Sequence, residues 1–297
     1  MIYPTNAATI ARAAKLLRAG ELVAFPTETV YGLGANALDA QAVQRIYTAK
    51  GRPSTSPLIV HVDSLAMARG LAAVWPETAE KLARAFWPGP LTLVVSKRPL
   101  VPDAATAELP SVGLRVPAHP VALALIAAAG LPLAAPSANR FTELSPTTAE
   151  HVERALGGRV TMILDGGPCT VGIESTVVSV IGSRPVLLRP GMITAAQIEA
   201  VVGALGDAAP SSGVAHLSPG LHPKHYSPRT PVLIDGRDAA PPGARLAHLD
   251  AATLPAAELY ATLHRLDDEG YDAILVKLPP DTPEWAAVRD RLTRAAE

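Results

Sequence analysis

The sequence predicts an α/β protein: a twisted mixed sheet with flanking helices around a concave cavity, followed by a small C-terminal α/β domain. Helical and strand-like segments interleave from Asn6 to about Val160, as in layered α/β folds. The short apolar runs after Val160 then follow one another without helices, which argues for a mixed rather than a purely parallel sheet. Near Gly206 the periodicity stops, and it resumes only after about two dozen residues rich in Pro, Ser, Gly and His. That is longer than an ordinary connection, so the stretch is a linker or a functional loop.

Asn6 caps a helix that ends at Gly20, with Ile10, Ala13, Leu16 and Leu17 on one face. "ELVAF" follows as a strand and "PTETVYGLGA" as a polar loop. Asp39 caps a second helix that stops at Gly51. "PLIVHV" reads as a strand, and "PETAEKLARAFW" as a helix with Pro76 in its first turn. "LTLVVS" and "VGLRVP" are strands, and "PVALALIAAAG" is a helix apolar nearly all round, hence buried. "LPLAA" is a strand entering a polar loop, and "TTAEHVERALGG" is a helix. "VTMILDGG", "STVVSVIG" and "PVLLRPG" are short strands, and Thr194 with Gln197 forms a capping box for the next helix. These elements predict a first domain over residues 1–206, a linker over 207–229 and a second unit over 230–297. The second unit is marginal as an independent core unless it docks on the first.

Bulk properties remove several functions. A net charge of −1 argues against nucleic-acid binding by bulk charge, without excluding a local basic cavity. The single cysteine, Cys169, rules out a disulfide framework and reads as structural rather than nucleophilic. The N-terminus lacks the pattern of a signal peptide, and no apolar run approaches the roughly 20 residues that span a bilayer. The expectation is a cytoplasmic protein without membrane contact.

Five polar segments carry the chemistry. They adjoin apolar strands, where open α/β sheets collect ligands. In "PTETVYGLGA" small hydroxyls sit beside glycines that permit close backbone approach. In "KGRPSTSP" Lys50 and Arg52 end a helix, where cations are favoured on dipole grounds alone. Pro53 and Pro57 stiffen the hydroxyls beside them, and such a cation pair suits phosphate oxygens. Arg115 interrupts the apolar strand "VGLRVP" and needs either a structural carboxylate or a ligand anion. "APSANRFTELSP" presents Ser137, Asn139 and Ser145, and "GIEST" is followed by Arg189 of "LLRPG". No P-loop, dinucleotide-binding fingerprint or nucleophile elbow is present. The histidines of "HPKH" match no specific metal spacing. Any nucleotide must be held by several loops.

Together these segments resemble the Sua5/YrdC family of threonylcarbamoyl-AMP synthases. The likeness rests on "FPTETVYGLGA", the K-x-R of "KGRPSTSPLIVHV", "FWPGPLTLVV", "VGLRVP", the S-x-N of "APSANRF", "GIESTVV" and "LLRPG". "PGLHPKHYSP" and the small unit after it match the longer, Sua5 form. The resemblance implies a reaction of L-threonine, bicarbonate and ATP, with Mg2+ on the nucleotide. Its products are pyrophosphate and threonylcarbamoyl-AMP, the latter serving tRNA t6A37 modification indirectly through a downstream transferase complex.

It also implies threonine contacts at Thr29, His61, Arg115, Ala135 and Ser175, where the Arg115 guanidinium suits the amino acid's carboxylate. The nucleotide falls to Lys50, Arg52, Ser56, Ser111, Ser137, Asn139, Ser145, Arg189 and Tyr226, with Lys50, Arg52 and Arg189 stabilising phosphate charge. Ser56 stands where many relatives carry asparagine. Tyr226, at the end of the linker, suggests a lid over residues 211–227. The competing readings are a catalytically inert RNA-binding module of the same fold and a carbamoyl-phosphate-dependent transferase. The latter's relatives carry extra cysteine modules that a chain with one cysteine lacks.

Overall fold

Short-range signals set most of the helices. In the computed structural model, which describes residues 1–207 and 225–297, strand β1 (Ile2–Pro4) precedes helix α1 (Ala7–Arg18), capped by Asn6. Strands β2 (Val23–Phe25) and β3 (Gly32–Asn36) follow, then α2 (Ala40–Lys50), which Asp39 caps and a left-handed Gly51 ends. Next come β4 (Ile59–His61), α3 (Leu65–Leu71), α4 (Glu77–Phe86), β5 (Leu91–Ser96) and the short α5 (Asp103–Thr106). Strand β6 (Ser111–Arg115), α6 (Pro120–Ala129), β7 (Leu133–Ala134) and α7 (Ala149–Leu156) lead into β8 (Met162–Asp165), β9 (Thr176–Ser179) and β10 (Val186–Arg189). Helix α8 (Ala195–Val202) carries the Thr194–Gln197 capping box.

The first ten strands form one sheet in the order β1-β8-β2-β3-β7-β4-β6-β5-β9-β10. Its neighbours run parallel at β1/β8, β2/β8, β4/β6 and β5/β9, and antiparallel elsewhere. The expected mixed α/β sheet is what forms. Helices α1 and α6 cover one face over Val23, Phe25 and Leu164, and α2, α4, α7 and α8 contribute to the other core.

Four local expectations need correction. "GLGAN" is strand rather than loop: it pairs with β2, and a Cβ at Gly34 would stand 2.7 Å from the Phe25 ring. That glycine therefore makes room for a core aromatic across the hairpin. Pro76 caps α4 instead of opening its first turn. Helix α6 buries only one face, because its outward residues Ala124, Ala127 and Ala128 are small enough to leave exposed. The helix read from Thr147 begins at Ala149, after a Thr148 cap.

Beyond the undescribed segment, β11 (Val232–Ile234), β12 (Leu246–Asp250), α9 (Leu259–Asp268), β13 (Ala273–Lys277) and α10 (Ala286–Ala295) build the small unit. Its sheet is parallel, in the order β11-β13-β12. The core of this unit includes Val30, Leu144 and Ile173 from the first body and Tyr226 from the junction. It is thus completed by docking, which a unit of this size requires.

Candidate active site

The turn between β2 and β3 organises itself. Thr27 Oγ1 donates to the Val30 carbonyl at 2.6 Å and accepts the Thr29 and Val30 N–H groups at 3.2 Å. It also lies 2.8 Å from the Thr29 hydroxyl. The Thr29 oxygen accepts Arg115 Nη1 at 2.9 Å, and Arg115 Nε donates to the Gly89 carbonyl at 3.2 Å. Glu28 meets the same guanidinium at 2.6 Å and accepts the Ala118 N–H at 3.0 Å. The carboxylate that the strand arginine requires is therefore Glu28, from the chain itself. His61 ends β4 beside this group, and the edge of Phe25 packs against its ring. Burial, and secondly the Arg115 charge, push the His61 pKa down to about 3.

A second wall comes from the end of α2 and the 135–145 segment. The Lys50 ammonium donates to the Ser137 carbonyl at 2.6 Å and to that of Asn139. Burial first and Arg52 second hold its pKa well below the lysine range. Arg52 donates to the Ser56 hydroxyl and, at 3.1 Å, to the Pro57 carbonyl. Its pKa is lowered to about 10, chiefly by burial. Lys50 and Arg52 are only 3% and 7% exposed, and among the described residues no carboxylate forms an ion pair with either. Asn139 donates to the carbonyls of Arg140 and Glu143 at 2.8 Å, pinning the loop, while its own buried oxygen has no partner among the described residues.

The third wall joins β9 to the small unit. Arg189 Nε and Nη2 donate to the Ser175 carbonyl at 3.1 and 3.0 Å, and the Ser175 hydroxyl lies 2.8 Å from that of Thr92. Glu174 accepts from Ser145, from the Tyr260 hydroxyl at 3.0 Å and from Arg291 Nε at 2.8 Å. Burial opposes its charge, but Arg291, Arg189 and these hydrogen bonds outweigh burial and lower its pKa. Tyr226 closes this side with a left-handed backbone, φ 62°, a costly conformation for a non-glycine residue. It is held by the His225 N–H on the Arg294 carbonyl and the Ser227 N–H on that of Thr142.

The walls enclose a cleft of about 540 Å³, counted to its open mouth. Of the residues expected from the sequence, Thr29, Arg52, His61, Arg115, Ala135, Ser137, Ser175, Arg189 and Tyr226 line it. Lys50, Ser56, Asn139 and Ser145 stand behind the lining, bonded to it or to its loops. Ser111 lies in a neighbouring groove with Thr92 and Gly113 that shares only Ile59 with the cleft. The residues of the expected lid lie outside the described residues apart from 225–227, as does His222 of "HPKH".

Sequence reasoning gave no role to Glu28, Glu174 or His225, all of which shape or line the cleft. Glu28 between two threonines, and His225 beside Tyr226, were the available signals. The donor set does not form a resident metal site. Glu28 and Glu174 are committed to arginines, and no group of three His, Cys, Asp or Glu among the described residues could hold a metal ion.

Comparison with known proteins agrees with this geometry. Residues 15–191 match the Sua5/YciO/YrdC family profile, described as "Telomere recombination". Residues 193–297 match that described as "Threonylcarbamoyl-AMP synthase, C-terminal domain". The threonylcarbamoyl-AMP synthase of Bacillus subtilis is 44% identical, over 98% of this chain and 94% of that protein. The crystal structure of P. abyssi Sua5 complexed with L-threonine superposes with a TM-score of 0.90 at 37% identity, covering all of this chain and 97% of that one. E. coli YciO, 24% identical, shares the fold of the first body with a TM-score of 0.57, over 64% of this chain and 95% of its own. The chain belongs to the Sua5/YrdC family of threonylcarbamoyl-AMP synthases, in the long form that carries the Sua5 C-terminal domain.

Proposed function

We propose that the cleft condenses L-threonine, bicarbonate or CO2, and ATP into threonylcarbamoyl-AMP and pyrophosphate. The observation that carries this reading is Arg52, which lines the cleft, is buried and has no carboxylate partner among the described residues. Buried charge of that kind is costly unless an anion answers it. In the same cleft stand hydroxyls, a neutral imidazole and an arginine already paired with Glu28, which suit an amino acid.

The threonine amine attacks the carbon of CO2, forming the C–N bond of a carbamate and losing a proton. A carbamate oxygen then attacks the α-phosphorus of ATP, and the bond to the bridging oxygen breaks to release pyrophosphate. No side-chain nucleophile is needed. The chain's contribution is to hold the reactants together and to meet phosphate charge with preorganised donors. Thr29, His61, Arg115, Ala135 and Ser175 form the amino-acid side. Arg52, Ser137, Arg189 and Tyr226 face the nucleotide, supported by Lys50, Ser56, Asn139 and Ser145. At neutral pH the depressed His61 is uncharged, so it offers the substrate a hydrogen bond without repelling the amine. Magnesium bound to ATP would offset phosphate charge, and no group of three His, Cys, Asp or Glu among the described residues would hold it separately. The product supplies tRNA t6A37 modification through a separate transferase.

The test is pyrophosphate release from MgATP with L-threonine and bicarbonate omitted in turn. Release that needs both supports the reading. Release that needs neither, or no release with salt-sensitive RNA binding instead, overturns it.

A further inference from the structure

The small C-terminal unit meets the back of the cleft wall through Arg291 and Tyr260. Arg291 of α10 is 1% exposed. Its Nε donates to Glu174 at 2.8 Å, its Nη2 to the Pro190 carbonyl at 3.1 Å, and its Nη1 to Asp290 at 2.6 Å. The guanidinium also lies 5.2 Å from the centre of the Tyr226 ring. Glu174 and Pro190 are the chain neighbours of Ser175 and Arg189, which are themselves bonded across the cleft wall. The strands beneath are tightly joined: a Cβ on Gly191 would stand 2.4 Å from the Thr176 nitrogen, and Thr176 Oγ1 donates to the Ile193 carbonyl at 2.8 Å. A displacement of Glu174 or Pro190 is therefore passed to both cleft residues.

We infer that Arg291 is a positioning residue supplied by the C-terminal unit, which fixes Glu174 and Pro190 so that Ser175 and Arg189 present a set geometry to the nucleotide. Tyr260 of α9 shares the task through its hydroxyl on Glu174. The small unit is then part of the catalytic wall rather than an appendage. This rests on the proposed reaction for its kinetic consequence, but not for its structural one.

The experiment uses the full chain with Arg291→Met, Tyr260→Phe and the double variant Glu174→Gln/Arg291→Met. Arg291→Met leaves a buried carboxylate unpaired and can lose folded protein, whereas the double variant removes both charges and restores stability. Positioning predicts that the folded double variant still has a KM for ATP raised at least tenfold and a kcat lowered at least tenfold. Its KM for L-threonine should stay within threefold, and Tyr260→Phe should shift the same constants by a smaller factor. Amide exchange at residues 173–176, Arg189 and Gly191 should quicken in the double variant while strands β11 and β13 keep their protection. Wild-type constants and exchange in the double variant, or equal rises in both KM values, overturn the inference. If wild-type release does not depend on threonine and bicarbonate, the proposed reaction fails, and the exchange arm alone decides whether Arg291 positions the wall.

Discussion

Glu28 and Arg115 meet at 2.6 Å, nearly excluded from water, although 86 residues separate the hydroxyl of Thr29 from the guanidinium that binds it. The pair ties the β2–β3 turn to β6 and leaves Arg115 with its charge balanced before any substrate arrives.

Breaking that pair should cost far more than removing it. Glu28→Gln leaves a buried guanidinium without its counter-charge, for which about 3–5 kcal/mol of stability is expected to be lost. Glu28→Gln combined with Arg115→Gln should recover much of it. Urea unfolding of the three proteins checks this, and equal stability of Glu28→Gln and wild type refutes it.

Stability should fall on mild acidification. His61 and His225 are both held to about 3, chiefly by burial. The unfolded chain binds their protons below about 6.5 while the folded chain does not. Their contribution is therefore fully present above pH 6.5 and is lost as pH falls toward 3, at up to about 1.4 kcal/mol per pH unit for each. Urea midpoints at pH 7.5 and 5.0 give the slope, and His61→Gln should flatten it. A midpoint that does not change with pH contradicts the prediction.

Gly172 has φ 72°, and a Cβ there would stand 2.3 Å from the Ala257 carbonyl oxygen of the small unit. Gly172→Ala should thus part the two bodies locally as well as strain its own backbone. We expect a lower melting temperature and faster limited proteolysis near residues 255–258. Gly182→Ala, also at positive φ but with no atom near its Cβ position, is the control. Matching melting temperatures for the two variants would remove the docking argument.

Arg189 should matter for the chemical step. Arg189→Met is expected to lower kcat for pyrophosphate release by about 10²–10³, the usual effect of losing one preorganised donor to developing charge. Arg189→Lys should lose less, since it keeps the charge but not the fork. Circular dichroism keeps folding separate from catalysis, and a fully active Arg189→Met would exclude the role.

Local features follow from residues close together in the chain. The caps at Asn6, Asp39 and Thr194 and the stop at Gly51 depend on neighbours within a few positions, and they appear as read. The motif segments were also legible, because each carries its own surplus of hydroxyls or cations in or beside an apolar strand. Pairings between distant parts of the chain became visible only in the folded molecule. Any structural carboxylate or a ligand anion could equally have answered Arg115, and no spacing rule connects Glu174 with Arg291, which lie 117 residues apart. The role of Gly34 depended on Phe25 crossing the hairpin. The physical reason is that local backbone preferences act over one turn or one strand pair. The neutralisation of a buried charge is decided by whatever side chain the sheet order and the docked C-terminal unit bring within 3 Å.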